Sequence, residues 1–202
     1  MMRGLSAVAV TAVLLMSGCA SSPPSTAEDV CQIFDEQRGW YSAARRAENR
    51  WDISIPVLMA FSFQESSYRS RARPERTRLL GFIPWRRPST AYGYAQALDG
   101  TWQEYQRETG RARARRTNFA DAMDFIGWYN RRAADQLGLP RDDAYSLYLA
   151  YHEGPGGFRR GTYRDKAWLQ QAARRVQSRA SQYERQLQGC ERRLRRPWWI
   201  PF

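Results

Sequence analysis

The sequence predicts a single, mainly α-helical domain interrupted by a proline- and arginine-rich inserted loop. Three observations lead there. Apolar residues recur at helical spacing along most of the chain, while nothing shows the strict alternation of a half-buried strand. Helix-stopping residues (Gly39, Gly110, Gly138 and Pro140) punctuate those runs. With 202 residues, 43% hydrophobic and 26% charged, the chain is long and apolar enough to bury one core. It has no fixed-period repeat and no coiled-coil heptads.

Taken in order, residues 28–51 read as one or two helices broken at Gly39. A very apolar helix follows over 57–68, with Pro56 in its first turn, where the missing N–H is tolerated. Residues 69–89 are rich in arginine, with prolines and Gly81 around an apolar cluster at 79–85, which argues for a loop or short hairpin. That cluster could line a groove, touch a membrane or fold back on the core. Residues 90–98 are turn-like. Thr101 and Glu104 have capping-box spacing, predicting a helix from Thr101 to about Thr109. The basic run 111–116 reads as a solvated loop. Asn118 caps a helix reaching about Leu137, with Phe119, Ala122, Met123, Ile126 and Tyr129 at helical spacing. Residues 142–152 form another helix, with Tyr145, Tyr148, Leu149 and His152 along one face. A sharp loop at 154–157 precedes a final helix over 163–187.

Charge and cysteines bound the surroundings. The net charge of +12 is almost all arginine, since Lys166 is the one lysine. Such a surface attracts nucleic acid, anionic headgroups or an acidic polymer, or it reflects genome composition alone. Residues 1–18 pair a positive start at Arg3 with a short apolar run, as in a signal peptide. The stretch Leu15-Met16-Ser17-Gly18-Cys19 resembles a bacterial lipoprotein cleavage box. The resemblance implies that Cys19 is lipidated and, with Ala20 next, that the protein is anchored to the outer membrane and faces the periplasm. A plain secretory signal is the alternative. Residues 19–27 then serve as a Ser/Pro tether. In an oxidising compartment Cys31 and Cys190 suggest a disulfide between the first and last helices, the alternative being two free thiols. The basic-aromatic tail 191–202 either docks on the domain or sits at a membrane interface.

Most chemistries find no support. One histidine, no CxxC pair and no carboxylate cluster leave metal and cofactor sites without candidates. No Gly-rich phosphate loop or strand–turn–helix serine motif occurs. Export and lipidation argue against nucleic acid as partner. What remains is Glu65, on the apolar stripe of helix 57–68 with Leu58, Phe61 and Tyr68. Burial disfavours the charged carboxylate, and the helix C-terminus pushes the same way. Such a group donates a proton near neutral pH, or else it is satisfied by a buried arginine. Aromatic rings and arginines around an acid suit a sugar, whose leaving oxygen needs a proton. No second carboxylate is evident, but an N-acetyl substrate supplies its own nucleophile.

Three motifs then carry a resemblance: Gln64-Glu65-Ser66, Gly93-Tyr94-Ala95-Gln96 and Ala150-Tyr151-His152-Glu153-Gly154. In this order they resemble the lytic transglycosylases of the soluble-lytic-transglycosylase (SLT) type, over about residues 50–165 of a domain at 28–190. The resemblance implies a lysozyme-like helical fold acting on peptidoglycan glycan strands; the sequence leaves the oligomeric state open, with a monomer expected. It implies cleavage of the MurNAc–GlcNAc bond with a 1,6-anhydro-MurNAc product. A hydrolytic muramidase on the same fold and a non-catalytic glycan-binding lipoprotein are the alternatives. By the same resemblance Glu65 is the single acid and base. Ser66, Tyr92, Gln96, Tyr151 and His152 are the expected substrate contacts. His152 stands where the family has asparagine, and the 31-residue step from Glu65 to Gln96 makes 69–89 an insertion at the groove rim.

Overall fold

The computed structural model describes residues 22–79, 83, 84 and 86–195. The signal stretch, Cys19, the aromatic tail and the middle of the apolar cluster at 80–82 and 85 lie outside them.

Among the described residues there are seven helices: α1 (Val30–Glu36), α2 (Trp40–Trp51), α3 (Ile55–Ser66), α4 (Asp99–Thr109), α5 (Phe119–Leu137), α6 (Ala144–Arg160) and α7 (Ala167–Leu194). Between α3 and α4 two short strands, β1 (Arg78–Leu79) and β2 (Ile83–Pro84), pair antiparallel with Leu79 opposite Ile83. The 69–89 stretch thus contains a small hairpin. No helix among the described residues is long and apolar enough to cross a membrane.

α3 is the centre of the molecule. Every residue from Ile55 to Ser62 is buried, so this helix is apolar all round and not a one-sided stripe. It packs against α7, α5 and α2. Burying each of Leu58, Met59 and Phe61, all at 0% exposure, stabilises the fold by about 1.5–3 kcal/mol. The helix stops because Ser67 and Tyr68 both take left-handed backbone angles, φ 50° and 58°. Tyr68 therefore leaves the stripe predicted for it. Its ring turns into the core, and its hydroxyl lies 3.2 Å from both the Met59 carbonyl and the Tyr183 hydroxyl of α7. Glu65 is left in the last turn of a buried helix.

Four other expectations change. α4 starts at Asp99, whose N–H donates to Thr90 Oγ1 at 3.1 Å, so Thr101 does not cap it. Glu104 instead takes Arg132 of α5 at 2.6 Å. The basic run 111–116 is not merely solvated. Arg111 reaches Asp121 at 2.8 Å and Asp124 at 3.3 Å, and Arg116 reaches Asp99 at 2.7 Å. Residues 154–157 are a kink within α6 and not a loop. Gly154, at φ 70° and ψ 161°, breaks the helix, and Pro155 restarts it at a position that needs no N–H. The last helix starts later and runs further than 163–187, because residues 161–165 form turns before it.

Cys31 and Cys190 are joined, their Cα atoms 6.1 Å apart, which ties α1 to α7. Arg193–Asp35 at 2.5 Å and Tyr41–Glu191 at 3.1 Å close the same end.

Candidate active site

Three segments converge on Glu65: the last turn of α3, the turn at residues 93–96, and α6. The turn is locked from both sides. Gly93 has φ 79°, and a Cβ there would meet the Arg116 carbonyl oxygen at 2.1 Å, so no other residue fits without displacement. Gly93 N–H donates to the Ala72 carbonyl at 3.0 Å, and Tyr94 N–H to the Arg116 carbonyl at 3.2 Å. The Tyr94 ring is buried at 1% exposure. It meets Trp40 edge-on at 5.7 Å and Phe119 at 5.4 Å, and those two rings are themselves stacked at 3.7 Å. Tyr94 is thus the anchor that plants the turn between α2 and α5.

α6 is pinned to that turn by Tyr151, whose hydroxyl donates to the Ala95 carbonyl at 2.6 Å. The ring of Phe61, one turn before Glu65, lies edge-on to Tyr148 at 5.3 Å and to Tyr151 at 5.4 Å. Tyr129 of α5 closes the cage, 4.9 Å from Tyr151. A concavity of about 330 Å³ adjoins the cage through Tyr129, lined also by Thr101, Glu104, Arg132, Pro155 and Arg159. A larger one of about 550 Å³, around Arg45, Asp52 and Arg141, contains none of the site residues.

Glu65 itself is half-buried. Desolvation raises its carboxyl to about 7, opposed only by a hydrogen bond with the Tyr148 hydroxyl. Among the described residues no arginine or lysine pairs with it. Asp124 is a different kind of carboxylate. That side chain is buried at 5% exposure, yet it accepts from Tyr105 Oη at 2.7 Å, Trp51 Nε1 at 3.1 Å and Arg50 at 3.2 Å, with Arg111 at 3.3 Å. Asp124 is a saturated structural carboxylate, and Glu65 is an under-satisfied one. Burial and the nearby Glu65 push the phenols of Tyr148 and Tyr151 well upward, so both stay protonated at neutral pH.

A family model described as transglycosylase SLT domain matches residues 7–190. The chain belongs to this family. It is a peptidoglycan lytic transglycosylase with a single lysozyme-like helical domain. No curated protein matches it.

Within this SLT domain the expected contact residues are divided. Tyr151 is brought beside Glu65 and bonded to the 93–96 turn, and Gln96 lies within that turn. Gln96 adopts φ 46°, and its amide nitrogen donates to the Ala72 and Gly93 carbonyls at 3.0 and 2.9 Å, so it braces the turn. Ser66 is not placed for a sugar. It is buried at 2% exposure, and its hydroxyl donates back to the Ser62 carbonyl at 2.9 Å, because residue 66 faces inward when residue 65 faces out. Tyr92 is half-buried with the Arg73 guanidinium 4.1 Å from its ring centre. His152 is exposed, edge-on to Trp168 at 4.9 Å and 3.4 Å from Glu153. Glu153 is held by Lys166 at 2.7 Å, which fixes the start of α7 against α6 and keeps that carboxyl below its ordinary value. Tyr148 is the residue that sequence reasoning left out of the site. The available signal was its place one turn before Tyr151 on the same helix face. Among the described residues no group of three or more His, Cys, Asp or Glu side chains is placed to hold a metal ion.

Proposed function

We propose that Glu65 is the sole acid and base of a reaction that cleaves the MurNAc–GlcNAc bond and leaves a 1,6-anhydro-MurNAc end. The observation that carries this reading is the contrast between two carboxylates: among the described residues Asp124 is saturated with donors, while Glu65 has the Tyr148 hydroxyl and no cation. A carboxyl raised to about 7 is a substantial fraction neutral at physiological pH, as a general acid must be.

In the first step Glu65 gives its proton to the glycosidic oxygen as the C1–O bond breaks. The N-acetyl group of MurNAc supports the positive charge developing at C1. In the second step the carboxylate takes the proton from the C6 hydroxyl as that oxygen closes on C1, and Glu65 is neutral again. The Tyr148 hydroxyl donates to the carboxylate between the steps, when it carries charge. Tyr151 and Gln96 keep the turn and α6 in register around the bond. The domain is held at its membrane through a lipidated Cys19, which explains the tether before α1.

Mass spectrometry of digested sacculi tests the chemistry. Products one water lighter than reducing muropeptides are expected, and they should vanish with Glu65→Gln. Reducing ends alone would make the enzyme a hydrolytic muramidase. Fatty-acid labelling lost on Cys19→Ser tests the anchor.

A further inference from the structure

One large aromatic ring stands out in solvent. Trp168, in the first turn of α7, is 56% exposed, whereas Trp40, Trp102 and Trp128 are buried. A single apolar side chain at a surface is ordinary in itself. The position of this one sets it apart. α6 and α7 run antiparallel beside Glu65, and three contacts fix their register. Tyr145 N–H donates to Gln177 Oε1 at 3.1 Å, Arg175 acts electrostatically on the Tyr148 phenol, and Lys166 meets Glu153 at 2.7 Å. The rings of His152 and Trp168 meet within this ladder, 4.9 Å apart and edge-on.

Tyr148 bonds the Glu65 carboxyl. His152 follows four residues later on the same face of α6, one turn on and about 6 Å along the axis. On α7, Trp168 stands two turns before Arg175, again on one face. Both helices therefore carry this ring pair in the same direction from Glu65, into the range of a neighbouring sugar.

The pair is held in advance of any ligand. Glu153 binds Lys166 and accepts from the Thr162 hydroxyl, so the turn leading into α7 is tied to α6 directly behind His152. Leu169, next to Trp168, is fully buried at 0% exposure and roots the same turn. The indole N–H of Trp168 has no partner among the described residues. A fixed, exposed indole offers a flat apolar face and one donor at little entropic cost. That matches a pyranose, which has C–H groups on its faces and hydroxyls around its rim.

We infer that Trp168, with His152 at its edge, is a sugar platform for the pyranose next along the glycan strand from the one held at Glu65. The inference deepens the glycan-cleavage reading and rests on it. Trp168 positions the strand and takes no part in proton transfer.

The test uses the full-length protein with Trp168→Ala and Trp168→Phe. Calorimetry measures binding of a short GlcNAc oligomer, which contains no MurNAc and so lacks the bond assigned for cleavage. Trp168→Ala should weaken this binding about threefold to tenfold, the size expected of one aromatic contact, and Trp168→Phe should restore most of it. On peptidoglycan strands the loss should appear in KM, with kcat changed by less than about twofold. Unchanged affinity in Trp168→Ala, or a loss in kcat alone, overturns the proposal. Tryptophan emission gives a readout from the ring-conserving variant. It should change when the oligomer is added to wild type, and most of that change should be lost in Trp168→Phe. The same change in both proteins overturns the proposal. Oligomer binding does not depend on cleavage. If Glu65→Gln cleaves like wild type, the Glu65 assignment fails, and the binding arm still decides the platform.

Discussion

The Tyr148 hydroxyl is hydrogen-bonded to the carboxyl of Glu65, linking the last turn of α3 to the middle of α6. This is the one hydrogen bond that lowers the affinity of Glu65 for its proton, and desolvation outweighs it. α3 and the aromatic cage are thereby joined through the proposed acid itself. On the proposed mechanism, the balance between burial and one phenol sets the working pH.

Glu65→Gln should lower turnover by about 100- to 10,000-fold, the usual contribution of a general acid, while glycan binding persists. Activity near wild type in a zymogram and in solution would remove Glu65 from its role.

The same substitution should change stability in a pH-dependent way. The folded carboxyl titrates near 7 against 4.5 for the free group, so folding favours the protonated form. Below pH 4.5 both states are neutral and there is no penalty. As pH rises through 7 the buried charge destabilises the fold by up to about 3 kcal/mol, from 2.5 pH units at 1.36 kcal/mol each. The Gln variant should therefore melt higher than wild type at pH 8, and the difference should shrink toward pH 4.5. A constant difference across that range would contradict the raised pKa.

Activity should fall above about pH 7, as the acid loses its proton. Tyr148→Phe removes the hydrogen bond that favours the carboxylate, so the alkaline limb should move to higher pH. A limb that stays in place would mean the phenol does not tune the acid.

Asp124→Ala should destabilise by about 3–5 kcal/mol, because it strands Arg50, Arg111, Trp51 and Tyr105 around an empty acceptor site. Urea unfolding measures this. The opposite signs expected at Asp124 and Glu65 at pH 8 separate a saturated carboxylate from an under-satisfied one in a single experiment.

Cys31 and Cys190 close a loop of 159 residues, and replacing both by serine should lower stability by about 4–5 kcal/mol in the chain-entropy model. Comparing denaturation midpoints of the oxidised wild type and the double variant checks it.

Much of this architecture was legible in the chain. Helical spacing, Gly39, Asn118 and Gly138 mark where helices begin and end, because those signals act on neighbours in sequence. Asn118 caps α5 as predicted, accepting from Asp121 N–H at 3.1 Å. The capping-box pattern at Thr101 misled, since the turn at 90–98 supplies Thr90 from outside the local window. The arginines of 111–116 misled for the same reason, as their partners lie on α4 and α5.

From sequence alone came the helical class, the apolar helix that ends on Glu65, and the three short motifs in their order. Those features depend on residue type and spacing along one chain. The fold alone decided that Ser66 points inward, that Tyr148 bonds Glu65, and that Asp124 takes cations while Glu65 has none among the described residues. Proton affinity depends on which groups and how much water surround a carboxyl in three dimensions, and residues 83 positions apart in sequence meet only once α6 has packed across α3.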